Sequence, residues 1–158
     1  MNKPAALCDL LGSKAVLADL AATDKKQIIQ ALAQHAAAQL GLEEHVVFDV
    51  LWEREKLGTT GVGQGIAIPH GRVAGLEKVC GFFVRLGTPV DFDSIDQRPV
   101  DLVFLLLAPE SAGADHLHAL AAVSRVLRDD SLCEKLRQAK SVSALSALLC
   151  NTSTAEAA

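Results

Sequence analysis

The sequence has no tyrosine and a single tryptophan, and aromatic residues make up only 4% of its 158 residues. Nor does it contain a cluster of lysine and arginine: 19 acidic residues outnumber 15 basic ones, for a formal charge of −4. A nucleic-acid reader needs a basic footprint, so this balance argues against that class. No apolar run approaches the roughly 18–20 residues that cross a bilayer. The strongest, LVFLLLA at 102–108, has the length of a strand, and the chain is expected not to be membrane-embedded. The opening MNKPAALCDLLGS carries one lysine and then Asp9, and its apolar stretch is too short for a secretory leader. Leu7 before Cys8 is not the small residue of a lipoprotein cleavage site. The cytoplasm is the expected location. The four cysteines, Cys8, Cys80, Cys133 and Cys150, are scattered with no C-x-x-C pair. In a cytoplasmic chain they read as buried thiols rather than a metal or disulfide framework.

What is present points to a packed domain. Half of the residues are hydrophobic, enough for one domain over 1–150 with a real core. The last stretch, NTSTAEAA at 151–158, is expected to be a disordered tail. Ala15–Leu20 reads as a strand. Asp24 and Gln27, at capping-box spacing, open a helix whose stripe is Ile28, Ile29, Leu32, Ala33, Ala36 and Leu40, closed by Gly41. A second helix is expected over Glu43–Leu57. Gly65–Pro69, Val79–Leu86 and Val100–Ala108 are strand candidates, with Pro89, Pro99 and Pro109 punctuating loops. Three helices follow: Asp115–Arg128, Ser131–Ala139 (with Ser131 and Glu134 as capping box) and Ser141–Cys150. Helices on both sides of the strands predict an α/β sandwich with a mixed sheet.

The stretch GVGQGIAIPHGR, residues 61–72, needs its own account. GTTGVGQG at 58–65 is no Walker loop, since Gln64-Gly65 stand where Lys-Ser/Thr is required, and Gly61, Gly63 and Gly65 alternate rather than forming G-x-G-x-x-G. A flexible loop remains, with exposed N–H groups and the hydroxyls of Thr59 and Thr60, able to approach an anion closely. Thr59, Thr60, Gly61 and Gly63 are therefore candidate phosphate-binding residues; a plain glycine-rich turn is the alternative. Pro69 holds Ile68 extended, and Gly71 leaves the ring of His70 uncrowded. A histidine displayed at a strand end can act as a nucleophile near neutral pH, provided a bond at its other nitrogen fixes the tautomer. The competing reading is a loop histidine with no role.

Two residues favour the chemical reading. On the second helix Val46, Val47, Val50, Leu51 and Leu57 define an inward stripe, and Arg54 falls near its middle, where an apolar residue is expected. It could complement the helix dipole, but a cation on the core face before a glycine loop suits an anion clamp. His116 lies in the first turn of the helix beginning at Asp115, a place that favours anions. On that helix Leu117, Leu120, Ala121, Val123, Ser124 and Leu127 share a face. His116 falls ~55° from its centre and His118 about 145° away, so His116 should turn inward and His118 should meet solvent. A histidine nucleophile, an arginine, a second histidine and a glycine loop together suit a phosphoryl group.

LGTTGVGQGIAIPHG resembles the signature of the type-2 enzyme IIA family of the bacterial phosphoenolpyruvate-dependent phosphotransferase system. LWEREKLGTTG, TPVDFDSIDQRPVDLVFLLLAPE and DHLHAL extend the resemblance over roughly residues 7–150. It implies the mannitol-type enzyme IIA fold, no cofactor, and a histidine transiently phosphorylated on Nε2. By position His70 matches that histidine, while Arg54 and His116 match the arginine and second histidine of the family pattern. Arg72 stands where lysine is common. The nitrogen-regulatory branch is the most similar, implying a phosphohistidine carrier and regulator that takes phosphate from an HPr-like carrier. Downstream partners of the kind the family implies are potassium transporters and sensor kinases. Two other readings compete: a sugar-specific component passing phosphate to a IIB domain, and a metal site built from His70, His116, His118 and Cys80. The last is disfavoured because His-x-His on a helix points its rings roughly 200° apart. His35 and His45 read as structural.

Overall fold

The computed structural model describes residues 7–157, with side chains to residue 150. Residues 1–6, part of the stretch tested above for a leader, and Ala158 of the expected tail lie outside the described residues. In chain order the elements are α1 (Leu7–Leu10), β1 (Leu11–Leu20), α2 (Lys25–Leu40), α3 (Glu44–Lys56), β2 (Gly61–Gly63), β3 (Ile66–Ala67), β4 (His70–Val73), β5 (Cys80–Val90), β6 (Val100–Pro109), α4 (Ala114–Leu127), α5 (Asp130–Gln138) and α6 (Val142–Ala157).

Six strands form one mixed sheet in the order β1-β5-β6-β3-β2, with β4 also paired to β6. β1 runs parallel to β5, and β3 and β4 run parallel to β6, whereas β5 and β6 are antiparallel. The central strand β6 is buried along both faces, as the uninterrupted apolar run of 102–108 requires. Its side chains alternate. Val103, Leu105 and Leu107 join α2 and α3 in one core; Leu102, Phe104 and Leu106 join α1, α4, α5 and α6 in the other. The expected α/β sandwich with helices on both faces is the observed architecture.

Helix signals in the sequence are read out directly in α2. Asp24 accepts the Gln27 N–H at 2.8 Å, Gln27 reaches back to the Thr23 N–H at 2.8 Å, and Gly41 closes the helix in the left-handed region. Elsewhere the structure corrects the reading. The cap of α5 is Asp129, not Ser131: its carboxylate accepts the N–H groups of Ser131 and Leu132, and a charged acceptor at a helix start outcompetes a hydroxyl. Pro89 lies inside β5, in the interval where the β5–β6 register shifts, so its missing N–H costs no ladder bond. Helix α6 runs from Val142 to Ala157, and no glycine or proline interrupts it.

The cysteines also differ from expectation. Cys8 and Cys150 form a disulfide across 142 residues of sequence, because α1 and α6 pack side by side on the same face of the sheet. Sequence spacing carries no trace of that approach. Cys80 and Cys133 are free thiols. Burial pushes the Cys133 thiol up to about 11, so it stays protonated and inert at neutral pH.

Candidate functional site

β3 and β4 are two pieces of one line alongside β6, separated by Ile68 and Pro69. Ile66 and Ala67 pair with Leu102 and Val103, and pairing resumes at His70 opposite Leu106. Proline has no N–H to give the ladder. At the break the Ile68 N–H turns to the Thr60 carbonyl at 2.9 Å and the Pro69 carbonyl accepts from Leu106. The Ile68 carbonyl is left for the imidazole of His70, whose Nδ1 lies 2.9 Å away. A carbonyl can only accept, so Nδ1 carries the proton and Nε2 keeps its lone pair. His70 thus begins a strand rather than ending one, and the interruption that precedes it selects its tautomer.

The three glycines ahead of it do not form a loose loop. Gly61–Gly63 is strand β2, paired antiparallel with β3. The connecting Gln64 and Gly65 have φ of 59° and 82°, the arrangement of a tight two-residue hairpin turn that favours glycine. The hydroxyls of this segment face inward. Thr59 Oγ1 donates to the Phe92 carbonyl at 2.8 Å and accepts from the Gly61 N–H at 3.0 Å. Thr60 Oγ1 donates to Glu55 at 2.6 Å. Thr59 and Thr60 thus spend their hydroxyls, and Gly61 its N–H, on bonds within the fold.

α3 delivers the cation. Gly71, opposite Leu107 on the α2–α3 side of the sheet, admits the helix closely: a Cβ there would lie 2.5 Å from Val50 Cγ1. The inward stripe of α3 is Val47, Leu51 and Glu55, not one running to Leu57, which is 85% exposed. Leu57 follows Glu55 by two residues, about 200° around the helix, and so falls on the opposite face. Arg54 flanks this stripe, half-buried, with Nη1 donating to the Gly58 carbonyl at 3.0 Å. Its charge also helps hold the pKa of His70 down.

α4 delivers the second imidazole from the opposite layer. Its buried face is His116, Ala119, Ala122, Val123, Val126 and Leu127. The expected face is rotated by about one position, which puts Leu117 into solvent at 62% exposure and His116 squarely inward at 7%. His118 is exposed, as the helical projection requires. The rings of His70 and His116 lie 5.7 Å apart, edge to face. Arg72 Nε donates to His116 Nδ1 at 3.4 Å, so the proton of His116 is on Nε2. That atom is buried and has no hydrogen-bond partner among the described residues. α4 itself starts at Gly113 without a side-chain cap.

The structure thus brings His70, Arg54 and His116 together at the break in the sheet, between its two helical layers. Sequence reasoning missed Glu55, a buried carboxylate; its position one residue after Arg54, near the inward stripe, was the available signal.

Burial holds the pKa of His70 below the ordinary 6.5; the bond to Ile68 opposes this, Arg54 adds to it, and Glu55 partly offsets it. His116 is lowered by burial first, then by His70 and Arg72. Both rings are therefore neutral at pH 7. A lowered pKa means that the nucleophilic form persists into mildly acid solution. Ring-nitrogen NMR is expected to give a His70 midpoint below 6.5, with the ring neutral throughout the neutral pH range. A midpoint at or above the ordinary value would contradict the buried, cation-flanked site.

Comparison with known proteins places the fold and the sequence in a family. Residues 9–152 match the family "Phosphoenolpyruvate-dependent sugar phosphotransferase system, EIIA 2". A nitrogen regulatory protein of Bradyrhizobium diazoefficiens is 53% identical over 143 residues, covering 90% of this chain and 94% of its own. The crystal structure of nitrogen regulatory protein IIA-Ntr from Neisseria meningitidis superposes with a TM-score of 0.85 at 36% identity, covering 90% of this chain and 98% of that one. IIA mannitol from Escherichia coli superposes with a TM-score of 0.72 at 25% identity, covering 87% and 97%. Membership in this family implies a phosphodonor of the HPr type. The chain belongs to the type-2 enzyme IIA family of the phosphoenolpyruvate-dependent phosphotransferase system, as a phosphotransfer component of its nitrogen-regulatory branch.

Proposed function

We propose that His70 is the phosphoryl acceptor of this carrier. The observation that supports it best is the commitment of Nδ1 to the Ile68 carbonyl, which leaves Nε2 uncommitted, with the His116 ring 5.7 Å away and the Arg54 charge near enough to lower the pKa. In this mechanism the Nε2 lone pair attacks phosphorus on the donor's phosphohistidine. A new P–N bond forms as the donor's P–N bond breaks, and the departing donor nitrogen keeps that electron pair. The His70 ring becomes cationic, and its Nδ1–H bond to Ile68 stabilises that charge. Arg54 and the Nε2–H of His116 meet the phosphoryl oxygens, where charge stabilisation matters most. Thr59, Thr60, Gly61 and Gly63 act as a frame beneath the histidine.

The phosphorylated form would carry about −1.5 to −2 additional charge at the site. Partners of the potassium-transporter or sensor-kinase kind would then distinguish the two forms in the cytoplasm. Incubation with phosphoenolpyruvate, enzyme I and HPr-type carriers, followed by intact-mass measurement, tests the reading: one acid-labile phosphoryl group is expected, and no mass change with any carrier would refute it.

The two histidines of α4 should separate cleanly. His116→Ala is expected to slow uptake or onward transfer while His70 still becomes modified, because a donor to the phosphoryl oxygens is lost but the nucleophile remains. His118→Ala should match wild type, since its side chain is in solvent. Stopped-flow or quench measurement of transfer rates checks both, and a reversed order would overturn the assignment.

A further inference from the structure

The carbonyl that selects the His70 tautomer is itself held by a chain of hydrogen bonds ending on a buried carboxylate. Glu55, in the last turn of α3, is 5% exposed. Its Oε2 accepts the Thr60 N–H at 2.9 Å and its Oε1 accepts the Thr60 hydroxyl at 2.6 Å. Lys25, from the first turn of α2, places Nζ 3.0 Å from Oε2; the same ammonium lies 3.2 Å from Asp93 and over the ring of Phe92 at 5.1 Å. From Thr60 the chain continues. The Thr60 carbonyl accepts from the Ile68 N–H at 2.9 Å, and the Ile68 carbonyl accepts from His70 Nδ1 at 2.9 Å.

A buried charge is a costly way to fill space, since it must recover its desolvation through bonds. The Glu55 carboxylate grips both the N–H and the hydroxyl of Thr60 and so fixes Thr60 against the last turn of α3. The same helical turn supplies Arg54, which holds the Gly58 carbonyl. Adjacent residues of α3 thus anchor both the cation and the strand break.

We propose that Glu55 is a positioning residue for His70: by orienting Thr60 it steadies Ile68, whose carbonyl keeps the proton on Nδ1 and leaves Nε2 free. This rests on the reading of His70 as the phosphoryl acceptor, but its structural half can be measured without any phosphate.

The test uses the full chain with ¹⁵N-labelled histidine, as wild type, Glu55→Gln and Thr60→Val. Ring-nitrogen NMR, at a pH where His70 is neutral, reports which nitrogen holds the proton; uptake from a phosphorylated HPr-type carrier reports the rate. Wild type is expected to show the Nδ1–H tautomer alone. Glu55→Gln should show a mixture with Nε2–H, and uptake slowed roughly ten- to a hundredfold, the scale of a small misplacement at a reacting group. Thr60→Val, which loses the hydroxyl bond but keeps the N–H bond, should move both readouts in the same direction and less far. An unchanged tautomer in folded Glu55→Gln overturns the proposal, even if the rate or melting temperature falls. Should Glu55→Gln fail to fold, an unchanged tautomer in Thr60→Val overturns it. If wild type takes up no phosphoryl group, the reading of His70 fails, and the tautomer comparison still decides the role of Glu55.

Discussion

His70→Ala is expected to abolish phosphoryl uptake. A phosphorylated HPr-type carrier mixed with this variant should keep its phosphate, and the intact mass of the variant should not change. The reason lies in geometry rather than histidine content. The chain has five histidines, but the other imidazole at the site, His116, has its Nδ1 facing the Arg72 guanidinium and carries its proton on the buried Nε2. No lone pair is left to attack. His118 and His45 are exposed, His45 with Glu43 at 3.6 Å, and His35 lies away from the site, edge-on to Phe82. The variant should fold, because His70 starts a short strand whose ladder is made by backbone. Persistent phosphoryl mass in His70→Ala would move the nucleophile elsewhere and undo the mechanism.

Arg54→Ala should fold and accept phosphate about 10²–10³ times more slowly, the usual cost of removing one electrostatic stabiliser of a transition state. Arginine has five N–H donors, and Arg54 gives one to the Gly58 carbonyl. The rest of the planar fork is available for phosphoryl oxygens. Arg54→Lys should fall between, since it retains the charge but not the fork. Losing the Gly58 bond also removes a C-terminal tie of α3, worth about 1 kcal/mol, so a small drop in melting temperature is expected in both variants. The two effects are separable by measuring rate and melting together. Normal transfer with lowered melting would make Arg54 a helix cap and nothing more.

Much of this protein can be read before folding. The caps of α2, the apolar run of β6 and the strand–helix order depend on neighbours within a few residues, where local rules hold. His70, Arg54 and His116 stood out for the same reason: a histidine between proline and glycine, a cation near a core stripe, and a histidine in a first helical turn are local anomalies. The errors share a physical cause as well. The inward faces of α3 and α4 were misjudged by about one position, because the sheet decides how a helix is rotated and the apolar pattern only approximates it. That rotation exposed Leu57 and Leu117 and brought Glu55 inside, while His116, expected to turn inward, is buried.

By itself, then, the sequence determined the fold class, the family resemblance and the three groups suited to phosphoryl chemistry. Tertiary structure decided how they are placed. The break between β3 and β4 frees the Ile68 carbonyl to select the tautomer, and Gly71 lets α3 approach from one side while α4 brings His116 from the other. The Cys8–Cys150 bond and the Lys25–Glu55–Thr60 network belong to the same category. Each joins groups from separate elements, and only packing of those elements on one sheet sets the distances between them.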